Sequence, residues 1–248
     1  MDFQPAIASY LKKTGFSSFS PKAFLFDMDG VLYDSMPFHA KAWKEAFAHV
    51  GVEFSEYDVY LNEGRTGKTT VNEAFTAQLH REATDDEIQR IYADKAEIFM
   101  SISHTNPMPF AKEVLETLKK SGKKIVLVTG SGQKSLISKL NETYPDIFSS
   151  ENMVTSFDVK YGKPHPEPYL MALQKAGVQP NEAVVIENAP LGVQAGVGAG
   201  IFTIALNTGI LRDEDLSLAG ANVVLPSMKA LYEILCATDI FKTFLIGK

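Results

Sequence analysis

Asp27 and Asp29 lie two residues apart, directly after the apolar run Ala23-Phe24-Leu25-Phe26, and Gly30 follows them. Two carboxylates at the end of a buried strand can bind a hard cation through oxygen, and Mg²⁺ fits that demand. The charge of such a metal lets a dianionic phosphate approach a carboxylate that would otherwise repel it. Asp27 is then placed to attack phosphorus and form an aspartyl phosphate. Asp29 is placed to protonate the leaving oxygen and later to activate water. Taken alone, the same four residues equally describe an Asx-type turn or a helix start.

Three further clusters bear on that choice. Thr129 ends the run Ile125-Val126-Leu127-Val128 and is followed by Gly130-Ser131-Gly132. A hydroxyl and glycine-exposed N–H groups there can hold phosphate oxygens, although Ser131 or Thr129 also suits a helix N-cap. Lys163 stands in Gly162-Lys163-Pro164-His165-Pro166, where prolines limit backbone freedom. Its ammonium can neutralise phosphate charge and restrain Asp27; His165 is read as an ordinary loop residue. Glu187 and Asn188 end the run Ala183–Ile186 and offer oxygens to a cation, or cap the helix starting near Pro190. Four polar clusters at four strand ends exceed what capping alone requires.

The elements that position these residues follow from the pattern of apolar runs. Ala23–Phe26, Lys124–Val128, Ala183–Ile186, Ile201–Ala205 and Asn222–Leu225 read as buried strands, and Ala111–Lys120 and Pro166–Ala176 as helices between them. Continuous apolar strands alternating with helices predict an α/β fold, a three-layer Rossmann-like core with a parallel sheet. Ligands of such open sheets sit beyond the carboxyl ends of the strands. Residues 36–107 break the alternation with helical periodicity alone, around His39–Val50, Thr69–Leu79 and Asp85–Met100, the last with Thr84 as N-cap. The predicted organisation is an N-terminal extension over 1–20, a core formed by 21–35 and 108–248, and an inserted helical cap over 36–107.

The 248 residues are 45% hydrophobic and 22% charged, which suits a globular protein with a sizeable core. A net charge of -6 gives no nucleic-acid footprint. No apolar stretch reaches membrane-spanning length, and the N-terminus lacks a signal-peptide pattern, so a cytoplasmic monomer without a membrane partner is expected. Cys236, the only cysteine, excludes an intrachain disulfide and is expected to be a small buried residue near a C-terminal helix.

The order Asp-x-Asp-Gly, Thr, Lys-Pro, Glu-Asn resembles the haloacid dehalogenase superfamily, in particular its β-phosphoglucomutase-like group. The resemblance runs from about Lys22 to the last helix. It implies Asp27 as nucleophile, Asp29 as general acid/base, Thr129 and Lys163 on the transferring phosphoryl, and Mg²⁺ near Asp27, met by Asp29 through its backbone carbonyl. It also implies that His39 lies near the proton-transferring Asp29, while Trp43 reads as core of the helical cap.

Two departures bear on the substrate. The fourth motif of the group ends in Glu-Asp or Asp-Asp, and here it is Glu187-Asn188, with one negative charge fewer. The mutase loop resembles Gly-x-x-Arg, but counting from Gly64 that arginine place is held by Gly67; Arg65 or Lys68 would have to substitute. The run Glu63-Gly64-Arg65-Thr66-Gly67 together with Glu187-Asn188 looks more like the inorganic pyrophosphatases of the superfamily. Glu63 is then either an exposed loop carboxylate or, if the cap closes, a metal ligand replacing the one missing at 188. The expectation is a Mg²⁺-dependent phosphohydrolase acting on pyrophosphate. A β-phosphoglucomutase or sugar-phosphate phosphatase is the alternative, and a phospho-receiver module a remote one. The metal set would be Asp27, Asp29, Glu187, Asn188 and Glu63; the substrate would meet His39, Glu63, Arg65, Lys68, Gly130 and Ser131.

Overall fold

The computed structural model describes residues 2–104, 106–130, 136–237 and 244–245. Helix α1 (Gln4–Thr14) and strand β1 (Ser18–Phe19) precede β2 (Ala23–Phe26). Four helices follow in succession: α2 (Met36–Ala48), α3 (Glu56–Leu61), α4 (Gly67–Leu79) and α5 (Asp85–Ile102). Helix α6 (Ala111–Lys120) then leads into β3 (Lys124–Val128), α7 (Leu136–Thr143) and β4 (Met153–Val154). The rest runs α8 (Glu167–Ala176), β5 (Ala183–Glu187), α9 (Pro190–Gly198), β6 (Phe202–Leu206), α10 (Asp213–Leu218), β7 (Val223–Leu225) and α11 (Met228–Ala237). A last strand, β8 (Phe244–Leu245), pairs antiparallel with β1.

Six strands form one parallel sheet in the order β4-β3-β2-β5-β6-β7. Alternate residues of each strand face opposite layers. Phe24, Phe26, Leu127, Val184 and Ile186 join a cluster with residues of α1, α6, α7 and α11. Ala23, Leu25, Val126, Val128 and Val185 meet Tyr169, Ala172 and Leu173 of α8 and Ala195 of α9 on the other face. The result is the predicted three-layer α/β core. Chain order departs from β2 first towards β3 and β4, then towards β5, β6 and β7, so the sheet's switch point lies at the carboxyl ends of β2, β3 and β5.

The helices α2 to α5 build their own cluster from Trp43, Phe47, Val59, Phe75 and Ile91, which is continuous with Val193, Ala205, Leu211 and Leu216 around β6. The two links joining this segment to the core run side by side. Asp34 N–H donates to Asn106 O at 3.0 Å and Met108 N–H to Leu32 O at 2.8 Å. Through α3, Tyr57 bonds to Asp215, and Arg212 holds both of them.

Thr84 is the expected N-cap of α5, as half of a reciprocal capping box with Glu87. The first twenty residues take on a definite role: Ile7, Tyr10 and Leu11 of α1 are buried, and the Tyr10 hydroxyl donates to Gly200 O at 2.9 Å. Cys236 departs from expectation. It is exposed, because it falls on the outer side of the last turn of α11, whose buried contacts are made by Met228 and Leu231.

Candidate active site

The site gathers where β2, β3 and β5 end. Asp27 directly follows β2, Thr129 follows β3, and Glu187 is the last residue of β5. Lys163 enters from the loop before α8, and its side chain is 3% exposed. Its Nζ lies 2.5 Å from Asp27 Oδ1, 2.6 Å from Glu187 Oε1 and 3.2 Å from Val128 O. An ammonium has three N–H donors, and these three acceptors use all of them.

Glu187 is equally saturated. Its Oε1 also accepts the Tyr169 hydroxyl at 2.8 Å, and its Oε2 accepts the N–H groups of Asn188 at 2.9 Å and Ala189 at 3.3 Å. A Cβ at Gly192 would lie 1.8 Å from Glu187 Oε1, so only glycine leaves room for the carboxylate. The metal contact predicted for Glu187 is thus replaced by an ammonium, a phenol and two backbone amides.

Burial pushes the Asp27 carboxyl well above the usual carboxylate range; Lys163 opposes this, and the nearby charges of Glu187 and Asp29 add to it. Burial works against the Lys163 ammonium too, but Asp27 and Glu187 more than compensate and hold it firmly charged. Asp29 is shaped differently. Burial raises it, yet the hydrogen bond and charge of His39 and the bond from Ser35 outweigh that and keep it below the usual range. Ser35 Oγ donates to Asp29 Oδ1 at 2.5 Å, and His39 Nε2 lies 3.4 Å from the same oxygen.

Behind His39 stands a residue that no sequence motif marks. Lys95 Nζ is 2.9 Å from His39 Nδ1 and lies over the rings of Trp43 and Phe99 at 5.4 and 5.0 Å. His39 itself stacks on Phe99, 4.1 Å between centroids. The available signal was register: Ile91, Lys95 and Phe99 recur every four residues, which sets a lysine in the middle of an apolar stripe. Nor does any motif mark Ser35 or Tyr169. A tyrosine on the buried face of α8 needs a partner for its hydroxyl, but sequence does not say which.

The loop between α3 and α4 closes over this centre. A Cβ at Gly64, whose φ is +93°, would sit 3.1 Å from the Lys163 side chain, and Gly64 O lies 3.7 Å from the corresponding position at Gly130. Gly64, Thr66, Thr129, Gly130, Gly162 and Lys163 line a cavity of about 80 Å³ between the two parts. Burial pushes the Glu63 carboxyl up; His39 draws it down, Asp29 adds to the rise and Lys95 offsets it. Arg65 and Lys68, expected on the substrate, turn to other partners. Arg65 Nε donates to Asn62 Oδ1 at 2.9 Å and its guanidinium reaches Glu73, while Lys68 pairs with Asp85 on an exposed surface. Ser131 lies outside the described residues.

Whether the residues present suit a divalent cation can be read from Asn188. Its Oδ1 is buried without a hydrogen-bond partner, and a Cβ at Gly30 would stand 2.0 Å from its Nδ2. An unsatisfied buried acceptor costs about 1–3 kcal/mol. A hard cation beside Asp27 would satisfy it and offset the burial, and the added repulsion, that raise Asp27. Among the described residues no three His, Cys, Asp or Glu side chains converge into a metal cluster, so the donor set that fits is an amide oxygen, a carboxylate and backbone.

A parallel sheet with an aspartate, a lysine and an acidic strand end at its switch point, under an inserted helical segment, defines a class, and comparison with known proteins agrees. Residues 21–200 match the model of haloacid dehalogenase-like hydrolases. The chain belongs to that family and is an enzyme of the phosphatase kind. It is 32% identical to hexitol phosphatase A of Escherichia coli over 79% of this chain and 90% of that protein. It is 29% identical to a phosphorylated carbohydrates phosphatase of Thermotoga maritima over 86% and 98%. Among solved structures, a candidate β-phosphoglucomutase from Bacteroides vulgatus superposes with a TM-score of 0.89 at 51% identity, covering 93% of this chain and 94% of that one.

Proposed function

We propose that this protein hydrolyses phosphate monoesters of small sugars or sugar alcohols, with Mg²⁺, through an aspartyl phosphate at Asp27. The observation that carries the chemistry is the buried Lys163 bridging Asp27 and Glu187 while Asp29 is held apart by Ser35 and His39. Asp27 attacks phosphorus as the ester P–O bond breaks; His39 and Ser35 hold Asp29 ionised in the free site, so the proton it passes to the leaving oxygen is one it takes up with the arriving phosphate. Asp29 then takes a proton from the water that cleaves the acyl phosphate. Lys163, joined by Thr129, neutralises the transferring group. Asp27, Asn188 and the Asp29 carbonyl would hold Mg²⁺, which supplies positive charge for the phosphate oxygens.

The carbohydrate substrates of the relatives support this over the pyrophosphate that the cap loop suggested. Hydrolysis is preferred to isomerisation because Arg65 and Lys68, the cations available for a second phosphate, are paired elsewhere. Pyrophosphate stays as the second reading on one observation: the cavity of about 80 Å³ suits a compact anion. The deciding experiment supplies hexitol phosphates, fructose 1-phosphate, pyrophosphate, and β-glucose 1-phosphate with the bisphosphate, measuring phosphate release and isomerisation. Release from the sugar esters should dominate. Faster release from pyrophosphate overturns the substrate assignment, and dominant isomerisation overturns hydrolysis.

A further inference from the structure

The Tyr169 hydroxyl lies outside the mechanism above, yet it is built into its centre. The residue is fully buried, and its hydroxyl donates to the same Glu187 Oε1 that Lys163 uses, at 2.8 Å against 2.6 Å. Lys163 Nζ also lies 5.4 Å from the centre of the Tyr169 ring, so phenol, carboxylate and ammonium form a closed triangle. We propose that Tyr169 is a positioning residue, which shares Glu187 with Lys163 and thereby sets how much of the ammonium is directed at Asp27 and the phosphoryl group.

The argument is one of competition. Glu187 Oε1 has two donors, and a second donor weakens the acceptor available to the first. With the phenol in place, Lys163 divides its attraction between Glu187 and Asp27. Without it, Glu187 is a stronger acceptor for Lys163 alone, and the ammonium is drawn away from Asp27. The other oxygen does not take up the change, because the N–H groups of Asn188 and Ala189 hold it. The consequence falls on transition-state stabilisation more than on substrate capture.

The proposal rests on the phosphatase reading, so its test has one arm that needs no turnover. Tyr169→Phe keeps the ring and removes the hydroxyl. It should lower kcat about tenfold, the effect of one hydrogen bond to a charged group, with KM changed less than about twofold. Combined with Glu187→Gln it should add little further loss. The second arm follows the Lys163 ammonium by ¹⁵N NMR of lysine-labelled protein, assigned by its disappearance in Lys163→Met; the signal should move in Tyr169→Phe. If Tyr169→Phe does not fold, protein with 3-fluorotyrosine throughout keeps each hydroxyl, and its Lys163 signal should move instead. An unmoved signal, or a kcat equal to the parent's, overturns the proposal. A parent enzyme that releases no phosphate from any ester while the signal still moves overturns the phosphatase reading and leaves the positioning role standing.

Discussion

Asn188 separates this site from one with a second acidic residue at the end of β5. Its amide oxygen is buried and unpaired, so an added negative charge would have a cation to meet. Asn188→Asp should therefore bind Mg²⁺ roughly tenfold more tightly by titration calorimetry, since ligand charge tunes affinity. Unchanged or weaker binding would exclude this residue from the metal site. Asp27→Asn should lose roughly 10⁴-fold or more in turnover and accumulate no acid-stable phosphoprotein, as expected for loss of a nucleophile. At this scale the sequence was most informative where residue type and strand end coincide, as at Asp27, Thr129 and Glu187. It was least informative about direction. Arg65 and Lys68 sit near the site in the chain, but their side chains follow Asn62, Glu73 and Asp85, acceptors that no local pattern singles out.

The strands with continuous apolar runs were legible because burial on both faces leaves no alternation to misread. Their ends were less so: β5 extends to Glu187, and β6 begins at Phe202 and ends at Leu206. Short elements such as β4, α3 and α10 escaped, since two to six residues carry too little periodicity. Helix α5 was found by its acidic start, and that start is testable. Thr84→Ala should cost about 1 kcal/mol through loss of the N-cap. Glu87 is held down to about 2 by its hydrogen bond with Arg81, then by the Thr84 N–H. A carboxylate depressed in the folded state contributes stability above its unfolded value near 4.5, and that contribution fades as pH falls towards about 2. The Tm deficit of Glu87→Gln should thus be present at pH 7 and shrink between about pH 4 and pH 2. A deficit that persists at pH 2 would mean that packing, not charge, holds this end of α5.

At the scale of the whole molecule, the helical segment meets the core through the apolar cluster around β6, and also at the paired links, at the loop at Gly64, and at the Tyr57–Asp215–Arg212 contact with α10. The last of these is made by α3, the helix that leads directly into the loop covering Lys163. Asp215→Ala should leave the melting temperature within a few degrees but speed amide exchange in residues 62–66, because closure would lose a hydrogen-bonded anchor. Exchange unchanged there would show that the α3–α10 contact does not govern the loop. The paired links have a different consequence. Because entry and exit are hydrogen-bonded neighbours at Leu32–Asp34 and Asn106–Met108, the interposed helices leave and rejoin the sheet at a single point. Such an insertion is exchangeable as a cassette: another helical unit with ends equally close could be grafted there without re-threading a strand. The helices over the sheet can then diverge while the residues at the strand ends beneath them are inherited intact.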